Sequence, residues 1–454
     1  MKLAVIGGGG VRSMFLAKSI AQKAAELSIE ELVFMDNNEK KLNIYGKMAK
    51  IVAEKLNPSM RFVLTTDAVA AIRDADYVIT TIRVGEDDMR VKDERIALGL
   101  GVLGQETTGA AGLSFAMRSV DALAAYCELI RQYAKPGCKV FNFTNPAGVV
   151  SQTLRDMGYD FTYGICDAPS GMLRTFEKLY DAPEGSARGE IYGLNHLSYF
   201  SAITINGMDV LYEIIENDRA YTDTDLRYFE KSLLRERGAI LNEYLYYFYY
   251  REQAVANILA APQTRGEQIA EINKKMTAEL EAIDVERDFD KALSIFEYWY
   301  GERENNYMAA ESGVKRQTKW HFDIFEKDDG GYAGVALNFI RIAQSGGLDS
   351  MILCVPNNGA IDGLLDTDVV EITCDIRDGE AYPHHFGKVD EQNLELIRRV
   401  KIYERLSSEA IRTKSRTKAI EALTLHPLVA SYSLATKLVD AYLEHNKDYT
   451  GEWA

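Results

Sequence analysis

Short apolar runs alternate with longer amphipathic stretches over the first part of the chain. The runs occupy residues 3–6, 32–35, 77–82 and 140–143, and the first amphipathic stretch covers residues 14–27. This alternation is typical of βαβ units, in which each helix returns the chain to a parallel strand. It predicts a parallel sheet with helices between its strands, and residues 161–165 are expected to add another strand.

The pattern changes after residue 165. Residues 191–205 alternate between apolar and polar side chains and then meet Asn206-Gly207, a strong hairpin dipeptide, so we expect the sheet to turn antiparallel there. Residues 225–311 have a charged, helical pattern that contains an aromatic cluster at 244–250. A strand pair is predicted around 351–355 and 369–374, followed by a long helical C-terminus.

The length of 454 residues exceeds what one hydrophobic core usually supports, so two closely packed domains are expected. The predicted fold class is α/β, with a doubly wound, Rossmann-like domain at residues 1–165. An α+β domain is predicted at residues 166–454. No linker-like composition separates the two segments, so the boundary is a soft one.

Composition and charge narrow the possible partners and location. Apolar residues make up 47% and charged residues 26%, as in ordinary globular proteins. The net charge of −16 argues against nucleic acid or an acidic membrane as a partner, since both attract basic faces. An apolar strand pattern begins directly after Met1-Lys2, no apolar run has membrane-spanning length, and the five cysteines show no paired spacing. These features favour a cytoplasmic protein.

A glycine-rich turn follows the first predicted strand. Gly7, Gly9 and Gly10 precede a predicted helix, and such a turn lets the backbone approach a pyrophosphate at the helix N-terminus. Asp36 ends the second apolar run, where a carboxylate binds ribose hydroxyls and favours NAD over its phosphorylated form. The third glycine is missing, because Arg12 or Ser13 occupies its place, so a simple tight turn with a carboxylate that caps a later helix stays the alternative.

Polar residues follow several of the later predicted strands. Cys166 and His196 lie thirty residues apart, and neither belongs to a familiar metal motif, so a buried thiol and a hydrogen-bonded imidazole are the plain alternative. Asp167 follows the cysteine, Asn195 precedes the histidine, and Asn145 follows an earlier strand. Carboxyl ends of parallel strands are where open α/β sheets bind ligands, which favours a shared site.

Arginines and tyrosines supply further candidates. Arg83 and Arg90 follow the fourth strand-like run, and Arg265 follows the tyrosine cluster; in an acidic protein such residues can clamp an anion, although most arginines are simply solvated. Most rings of the cluster are expected in the core, and at most one or two in a catalytic role.

Taken together and in order, these motifs resemble glycoside hydrolase family 4, the NAD- and metal-dependent phosphoglycosidases. The matching segments are VIGGGG (5–10), IRVG (82–85), GQETTG (104–109), NFTNPAG (142–148), GICD (164–167), GLNH (193–196), TRGE (264–267) and VPNNGAI (355–361). Two C-terminal segments, at 400–405 and 426–429, also match. The resemblance covers nearly the whole chain and implies a lactate/malate dehydrogenase-like NAD domain.

The resemblance also implies a role for each candidate. Cys166 and His196 bind a divalent metal, usually Mn²⁺, and Tyr244 is the catalytic base, with Tyr246 and Tyr247 as fallbacks. The base is assisted by Glu106. The remaining implied site residues are Gly7, Gly9, Gly10, Asp36 and Arg83 for NAD, and Arg90, Asn145 and Arg265 for a sugar 6-phosphate.

The implied reaction begins with oxidation of the sugar C3 hydroxyl by NAD, which makes the C2 proton acidic. The base removes that proton, the leaving group departs from C1, water adds, and the hydride returns to C3, so NAD is recycled. A thiolate ligand also implies sensitivity to oxygen.

The anomer preference is open at this point. Cys166-Asp167 is typical of enzymes acting on 6-phospho-α-glucosides, with the aspartate as candidate acid, whereas segments 104–109 and 142–150 look more like the β-type members. The β reading is preferred, and Asp167 is then either the leaving-group acid or a residue that orients a metal-bound water.

Two rival classes use the same NAD turn. A 2-hydroxy-acid dehydrogenase would accumulate NADH, and an NAD-sensing module would bind the cofactor without turnover. The expected partner is a phosphorylated disaccharide or glucoside, and family members are commonly homodimers or homotetramers.

Overall fold

The computed structural model describes residues 1–316, 320–327 and 333–454. Within these ranges, no helix is both long and apolar enough to cross a membrane. The structure contains two sheets surrounded by helices.

The strands are β1 (Lys2–Ile6), β2 (Glu31–Met35), β3 (Arg61–Thr65), β4 (Tyr77–Thr80), β5 (Lys139–Asn142), β6 (Thr162–Gly164), β7 (Ala187–Leu194), β8 (Leu197–Ile205), β9 (Met208–Asp209), β10 (Ile240–Leu241), β11 (Asp349–Pro356), β12 (Val369–Arg377) and β13 (Glu380–Pro383).

The helices up to the aromatic cluster are α1 (Ser13–Lys23), α2 (Glu39–Lys41), α3 (Lys47–Leu56), α4 (Ala68–Ile72), α5 (Glu86–Gly99), α6 (Ala110–Tyr133), α7 (Ala147–Asp156), α8 (Ala168–Leu179), α9 (Leu211–Glu216), α10 (Ala220–Asp223), α11 (Lys231–Arg237) and α12 (Tyr246–Tyr249). Those that follow are α13 (Arg251–Ala260), α14 (Arg265–Glu281), α15 (Phe289–Asn305), α16 (Ala309–Ser312), α17 (Gly334–Ser345), α18 (Glu391–Thr413), α19 (Arg416–Leu425) and α20 (Tyr432–Thr450). A π-helical turn lies at Leu42–Gly46, and 3₁₀ turns lie at Asp225–Tyr228 and Glu243–Leu245.

The large sheet has nine strands in the order β13-β12-β11-β6-β5-β4-β1-β2-β3. Its first six strands in sequence are all parallel and follow the spatial order 3-2-1-4-5-6, which is the Rossmann order. The predicted doubly wound α/β fold is therefore confirmed. Strand β3 had no counterpart among the predicted runs.

Successive residues of β1 enter two different cores. Leu3 and Val5 pack into the larger core, whereas Ala4 and Ile6 pack into the smaller one on the other face. Side chains alternate across a strand, so both faces of the sheet are covered, and this explains why its strands read as continuous apolar runs.

The antiparallel part of the large sheet is not where the sequence placed it. β11, β12 and β13 extend the sheet beyond β6 in antiparallel fashion, so strands from both predicted domains share one sheet. The hairpin expected at Asn206-Gly207 is present between β8 and β9 but belongs to a separate four-stranded sheet with β7 and β10. The domain boundary near residue 165 stays a prediction.

Two predicted segments are interrupted. The alternating run 191–205 is divided by a turn at Asn195-His196, because β7 and β8 form an antiparallel pair with Leu194 opposite Leu197. The expected helical region 225–311 contains the short strand β10, which pairs with β8. In both cases long-range pairing overrides the local pattern.

His384 links the two sheets at a half-buried position. Its Nδ1 lies 2.9 Å from Glu190 of β7 and its Nε2 lies 2.9 Å from Asp375 of β12, so both ring nitrogens face carboxylates. Burial alone lowers the pKa of His384, but the hydrogen bonds to Asp375 and Glu190 outweigh burial and raise it above the ordinary value.

We therefore expect His384 to stabilise the fold in a pH-dependent way. A folded-state pKa above the unfolded value gives stability that is complete below the unfolded pKa and is lost as the pH rises through the folded pKa. Compared with wild type, His384→Gln should lose about 1 kcal/mol of unfolding free energy at most near pH 6, because the partly exposed carboxylates are screened by water. The loss should be smaller near pH 9, where the imidazole is neutral in both states.

Urea unfolding at the two pH values measures this difference. His385→Gln is the matched control, since the exposed His385 has a backbone carbonyl, that of Gly359 at 3.0 Å, as its hydrogen-bond partner among the residues that the structure describes. A loss for His384→Gln that is equal at both pH values would contradict the assignment.

Candidate active site

A cleft of about 1010 Å³ opens at the carboxyl ends of the parallel strands. Its walls bring together the glycine turn after β1, the segments after β4, β5 and β6, the turn between β7 and β8, and the aromatic cluster. Of the predicted site residues, all but Gly9 line this cleft, and Gly9 lies directly behind its wall.

The glycine turn joins β1 to α1 with little space around it. Gly7 has φ +99°, and an added Cβ there would overlap the carbonyl oxygen of Thr81, so only glycine fits. Gly10 differs, because a Cβ there would meet only the Gly7 carbonyl, at 3.5 Å, and the space in front of it is open to the cleft. The turn thus offers a bare backbone beside the N-terminus of α1, as a dinucleotide pyrophosphate requires.

Asp36 lies at the end of β2, next to this turn. Its two carboxylate oxygens accept hydrogen bonds from the backbone N–H groups of Gly9 and Asn38, each at 2.9 Å. An added Cβ at Gly9 would crowd this carboxylate at 2.9 Å. The carboxylate is held at the rim of the cleft with lone pairs left over for ribose hydroxyls. These residues fit the adenosine half of NAD.

The tight turn between β7 and β8 carries His196 into the cleft with a φ of +63°. Its Nδ1 lies 3.1 Å from the Thr107 hydroxyl, which leaves Nε2 directed at the Cys166 sulfur, 3.5 Å away. Behind the turn, Asn195 donates to the buried carboxylate of Glu371 at 3.0 Å. Burial lowers the pKa of His196 to about 4, so its imidazole is neutral and able to act as a ligand.

Cys166 follows β6, and its sulfur lies next to the His196 imidazole. Burial, with the nearby carboxylates of Glu371 and Asp167, raises the pKa of its thiol well above the ordinary value. A cation bound between Cys166 and His196 would offset this and favour the thiolate.

The pair fits a divalent metal as a two-residue ligand set. Among the described residues, no third His, Cys, Asp or Glu completes a group that would enclose an ion. The other coordination positions would be left to water and substrate oxygens, which Mn²⁺ favours. An open site of this kind suits catalysis better than a structural role.

Tyr244 is the member of the aromatic cluster that lies against this pair. The Asn242 side chain caps the 3₁₀ turn by accepting from the Tyr244 N–H at 3.0 Å. The Tyr244 ring stacks on the His196 ring, with the ring centroids 3.9 Å apart and an angle of 7° between the ring planes. Its hydroxyl accepts a hydrogen bond from Tyr307 at 3.2 Å.

The two fallback tyrosines are placed differently. Tyr246 is buried and donates to the carbonyl of Glu311 at 3.1 Å, and Tyr247 is 2% exposed with its hydroxyl bonded to the Glu311 side chain.

Burial and the neighbouring Glu243 raise the pKa of Tyr244, so a cation beside it is needed to favour the phenolate.

Glu106 is held between two arginines at the floor of the cleft. It lies 2.6 Å from Arg83 and 3.1 Å from Arg90, and Arg90 also contacts Glu94 at 2.9 Å. Burial alone would raise the pKa of Glu106, but Arg83 and Arg90 lower it to about 2. Glu106 is thus an anion at neutral pH, and Arg90 is already neutralised by two carboxylates.

Arg265 is positioned by the start of α14. Thr264 and Glu267 form a capping box there, and the Gly266 N–H donates to the Glu94 carboxylate at 2.8 Å. The helix therefore begins against α5 and turns Arg265 towards the cleft, where it donates to the carbonyl of Arg303 at 2.9 Å.

Several cleft residues had no signal of their own in the sequence. Tyr307, Glu243 and Arg303 lie in the charged region 225–311, outside the aromatic cluster, and reach the cleft only through tertiary packing. Thr107 belongs to the GQETTG segment, but nothing local indicated its bond to His196. Burial and the carboxylate of Asp225 raise the pKa of Glu243 to about 8.

Two sequence profiles match the chain. The profile described as "Family 4 glycosyl hydrolase" matches residues 2–182, and the one described as "Family 4 glycosyl hydrolase C-terminal domain" matches residues 191–429. Together they cover the NAD turn, the Cys166 and His196 pair and the tyrosine cluster.

Individual relatives agree with these profiles. A 6-phospho-β-glucosidase of Thermotoga maritima is 29% identical over 99% of each chain, and a 6-phospho-α-glucosidase of Leptotrichia buccalis is 26% identical over 98% of each. A solved structure of the 6-phospho-β-glucosidase from Thermotoga maritima with manganese, NAD⁺ and glucose 6-phosphate is 27% identical, covers both chains completely and has a TM-score of 0.82.

Proposed function

The chain belongs to the family 4 glycosyl hydrolases, and from this premise we propose that it hydrolyses 6-phospho-β-glucosides with NAD and a divalent metal, in the first place Mn²⁺. The observation that carries the proposal is the stacking of Tyr244 on His196, with Cys166 3.5 Å from that imidazole, in the cleft that also contains the glycine turn. A dehydrogenase working by an aspartate and histidine relay has no use for this arrangement.

When bound, NAD supplies a reversible hydride acceptor, and the metal supplies a Lewis acid for the C2 and C3 oxygens. Tyr244 is the proposed acceptor of the C2 proton, because its ring stacks on His196 and its hydroxyl is oriented by Tyr307. Glu106, fixed by Arg83 and Arg90, contributes negative charge close to this base.

Asp167 is the proposed acid for the leaving group. It directly follows Cys166 at the start of α8, and its carboxylate lines the cleft on the same wall. A carboxylic acid in this position protonates the departing oxygen at C1 and afterwards activates the water that adds there. Orientation of a metal-bound water is the alternative role for the same residue.

The substrate phosphate is assigned to Arg265, Asn145 and Arg90. Arg265 is the strongest of the three candidates, because its guanidinium has no carboxylate within salt-bridge distance among the described residues. Arg90, paired with Glu94 and Glu106, contributes its positive field and supports Glu106 at the same time.

The β anomer is favoured by the relatives as well as by segments 104–109 and 142–150. Identity to the Thermotoga maritima 6-phospho-β-glucosidase is 29%, against 26% for the Leptotrichia buccalis 6-phospho-α-glucosidase. The cytoplasmic location and the homodimer or homotetramer stay predictions.

The proposal predicts release of nitrophenol from 4-nitrophenyl β-glucoside 6-phosphate. Turnover should require Mn²⁺ and a thiol reductant, with NAD in catalytic amounts, because the hydride returns to the sugar in each cycle. The panel includes the α anomer, the galactoside 6-phosphate and the unphosphorylated β-glucoside, and the β-glucoside 6-phosphate should give the highest kcat/KM.

The Cys166→Ser variant is the control, since it removes the thiolate with little change in volume. It should abolish Mn²⁺-dependent turnover and leave NAD binding intact. Stoichiometric NADH production without nitrophenol would support a dehydrogenase instead, and a higher kcat/KM for the α anomer would reverse the anomer assignment.

A further inference from the structure

We propose that Arg303 binds the 6-phosphate of the substrate together with Arg265. Arg303 lies in the last turn of α15 and lines the cleft. The inference rests on the proposed function and adds a phosphate ligand to it.

Arg303 and Arg265 lie side by side and leave hydrogen-bond donors unused. The carbonyl of Arg303 accepts from Nη2 of Arg265 at 2.9 Å, which brings the two residues together. Nη1 of Arg265 and Nε of Arg303 are buried and find no acceptor among the described residues. A buried donor without an acceptor is costly, so these N–H groups favour a ligand with several acceptor oxygens.

The charges around the pair favour an anion. Within the described part of the chain, neither guanidinium has a carboxylate at salt-bridge distance, whereas Arg90 nearby has two. Burial, with the neighbouring charges of Arg12 and Arg265, lowers the pKa of Arg303 to about 10. A phosphate dianion would relieve this repulsion. Two of its oxygens can accept parallel hydrogen bonds from the two N–H groups of one guanidinium fork.

Arg12 joins the group from the glycine turn. The Tyr300 hydroxyl is hydrogen-bonded to Arg12, and the Arg303 guanidinium lies 5.5 Å from the centroid of the same Tyr300 ring. Arg12 stands where the NAD fingerprint has its third glycine, so this chain carries an extra cation between the cofactor turn and the arginine pair.

A phosphate could come from the substrate or from NAD, and the position of the pair favours the substrate. The NAD pyrophosphate is expected at Gly7 and Gly10, in the turn between β1 and α1. Tyr307 lies four residues after Arg303, just beyond the end of α15, and its hydroxyl donates to that of Tyr244 at 3.2 Å. The arginine pair is therefore on the side of the proposed catalytic base.

Calorimetric titration of the full chain with Mn²⁺ tests the inference, with glucose 6-phosphate, glucose and NAD as separate probes. Arg303→Gln should weaken glucose 6-phosphate binding about ten- to a hundredfold, which corresponds to loss of charged hydrogen bonds. NAD affinity should change less than about twofold, because its pyrophosphate is expected at the glycine turn before α1. Arg303→Lys keeps the charge without the fork and should recover part of the affinity.

Arg287→Gln is the matched control, because Arg287 precedes the same helix, is exposed and, among the described residues, forms its ion pair with the adjacent Asp288. It should bind all probes as wild type does. Unchanged glucose 6-phosphate affinity in Arg303→Gln would overturn the inference, as would weakened NAD binding alone, which would assign Arg303 to the cofactor. If wild type itself bound glucose 6-phosphate no better than glucose, the proposed function would fail first.

If Arg303→Gln did not fold, Arg303→Lys and wild type would still decide the question. Protection of Arg303 from phenylglyoxal by glucose 6-phosphate, followed by peptide mass spectrometry, reports on the wild-type residue directly. Equal modification of Arg303 with and without the sugar phosphate would overturn the inference.

Discussion

Tyr244→Phe is expected to lower kcat by about 10²- to 10⁴-fold, which is the usual contribution of a general base. The phenol oxygen is the proposed proton acceptor, and phenylalanine removes only that atom. The ring stacking on His196 is kept, so NAD and glucose 6-phosphate should bind as in wild type.

The diagnostic measurement is exchange of the C2 proton. In D₂O, with NAD and Mn²⁺, wild type should incorporate deuterium at C2 of the released sugar phosphate, and Tyr244→Phe should incorporate it at a rate reduced in proportion to kcat. Tyr246→Phe is the matched control, since its hydroxyl bonds to the carbonyl of Glu311 within the protein interior. Normal exchange in Tyr244→Phe with a loss in Tyr247→Phe would transfer the base to Tyr247.

Asp93→Asn is expected to cost about 3–5 kcal/mol of unfolding free energy, because it leaves Arg118 buried without its counterion. Arg118 on α6 is fully buried and contacts Asp93 on α5 through two nitrogens, at 2.6 and 3.2 Å. Asn446 of α20 accepts from the same guanidinium at 3.1 Å. The replacement is nearly isosteric, so the lost charge pairing is the main change.

Urea unfolding followed by circular dichroism measures the cost. Asp440→Asn is the matched control: it removes the partner of Arg416 in an exposed pair between α19 and α20 and should cost about 1 kcal/mol or less. Adding Arg118→Met to Asp93→Asn should recover part of the loss, since the unpaired charge is then gone. Similar costs for Asp93→Asn and Asp440→Asn would show that the buried pair is not critical.

The buried pair of Asp93 and Arg118 also helps to position the active site. Asp93 is next to Glu94 and one helical turn from Arg90, so the docking of α20 through Asn446 fixes the helix that presents both residues to the cleft. If Asp93→Asn loses activity, part of that loss should therefore come from a smaller fraction of folded protein. The unfolding curves give this fraction, so that a change in kcat can be measured separately.

The sequence by itself determined the features that depend on near neighbours. The alternation of apolar runs with amphipathic stretches predicted the parallel sheet, because both faces of each strand are buried. The glycine turn and Asp36 predicted a dinucleotide site, because tight turns require particular residues at adjacent positions. The family 4 assignment came from the resemblance of the ordered motifs.

Only the tertiary structure decided which distant residues meet. The hairpin of β7 and β8 was hidden in one alternating run, since a two-residue turn at Asn195-His196 leaves the alternation nearly intact, yet it is this turn that brings His196 to Cys166. The antiparallel extension by β11, β12 and β13 likewise depends on pairing with β6, nearly two hundred residues earlier in the chain.

The tertiary structure also separates the individual tyrosines and arginines by their surroundings, while their roles stay predictions. Helical spacing cannot tell which rings of the cluster face the cleft. In the structure both Tyr244 and Tyr247 line it, and the stacking on His196 distinguishes Tyr244 from Tyr247, whose hydroxyl is bonded to the Glu311 side chain. Arg303 has no local motif, and its unused donors become visible only when its packing against Arg265 is known. Hydrogen-bond satisfaction is a property of the folded environment, and no local residue pattern encodes it.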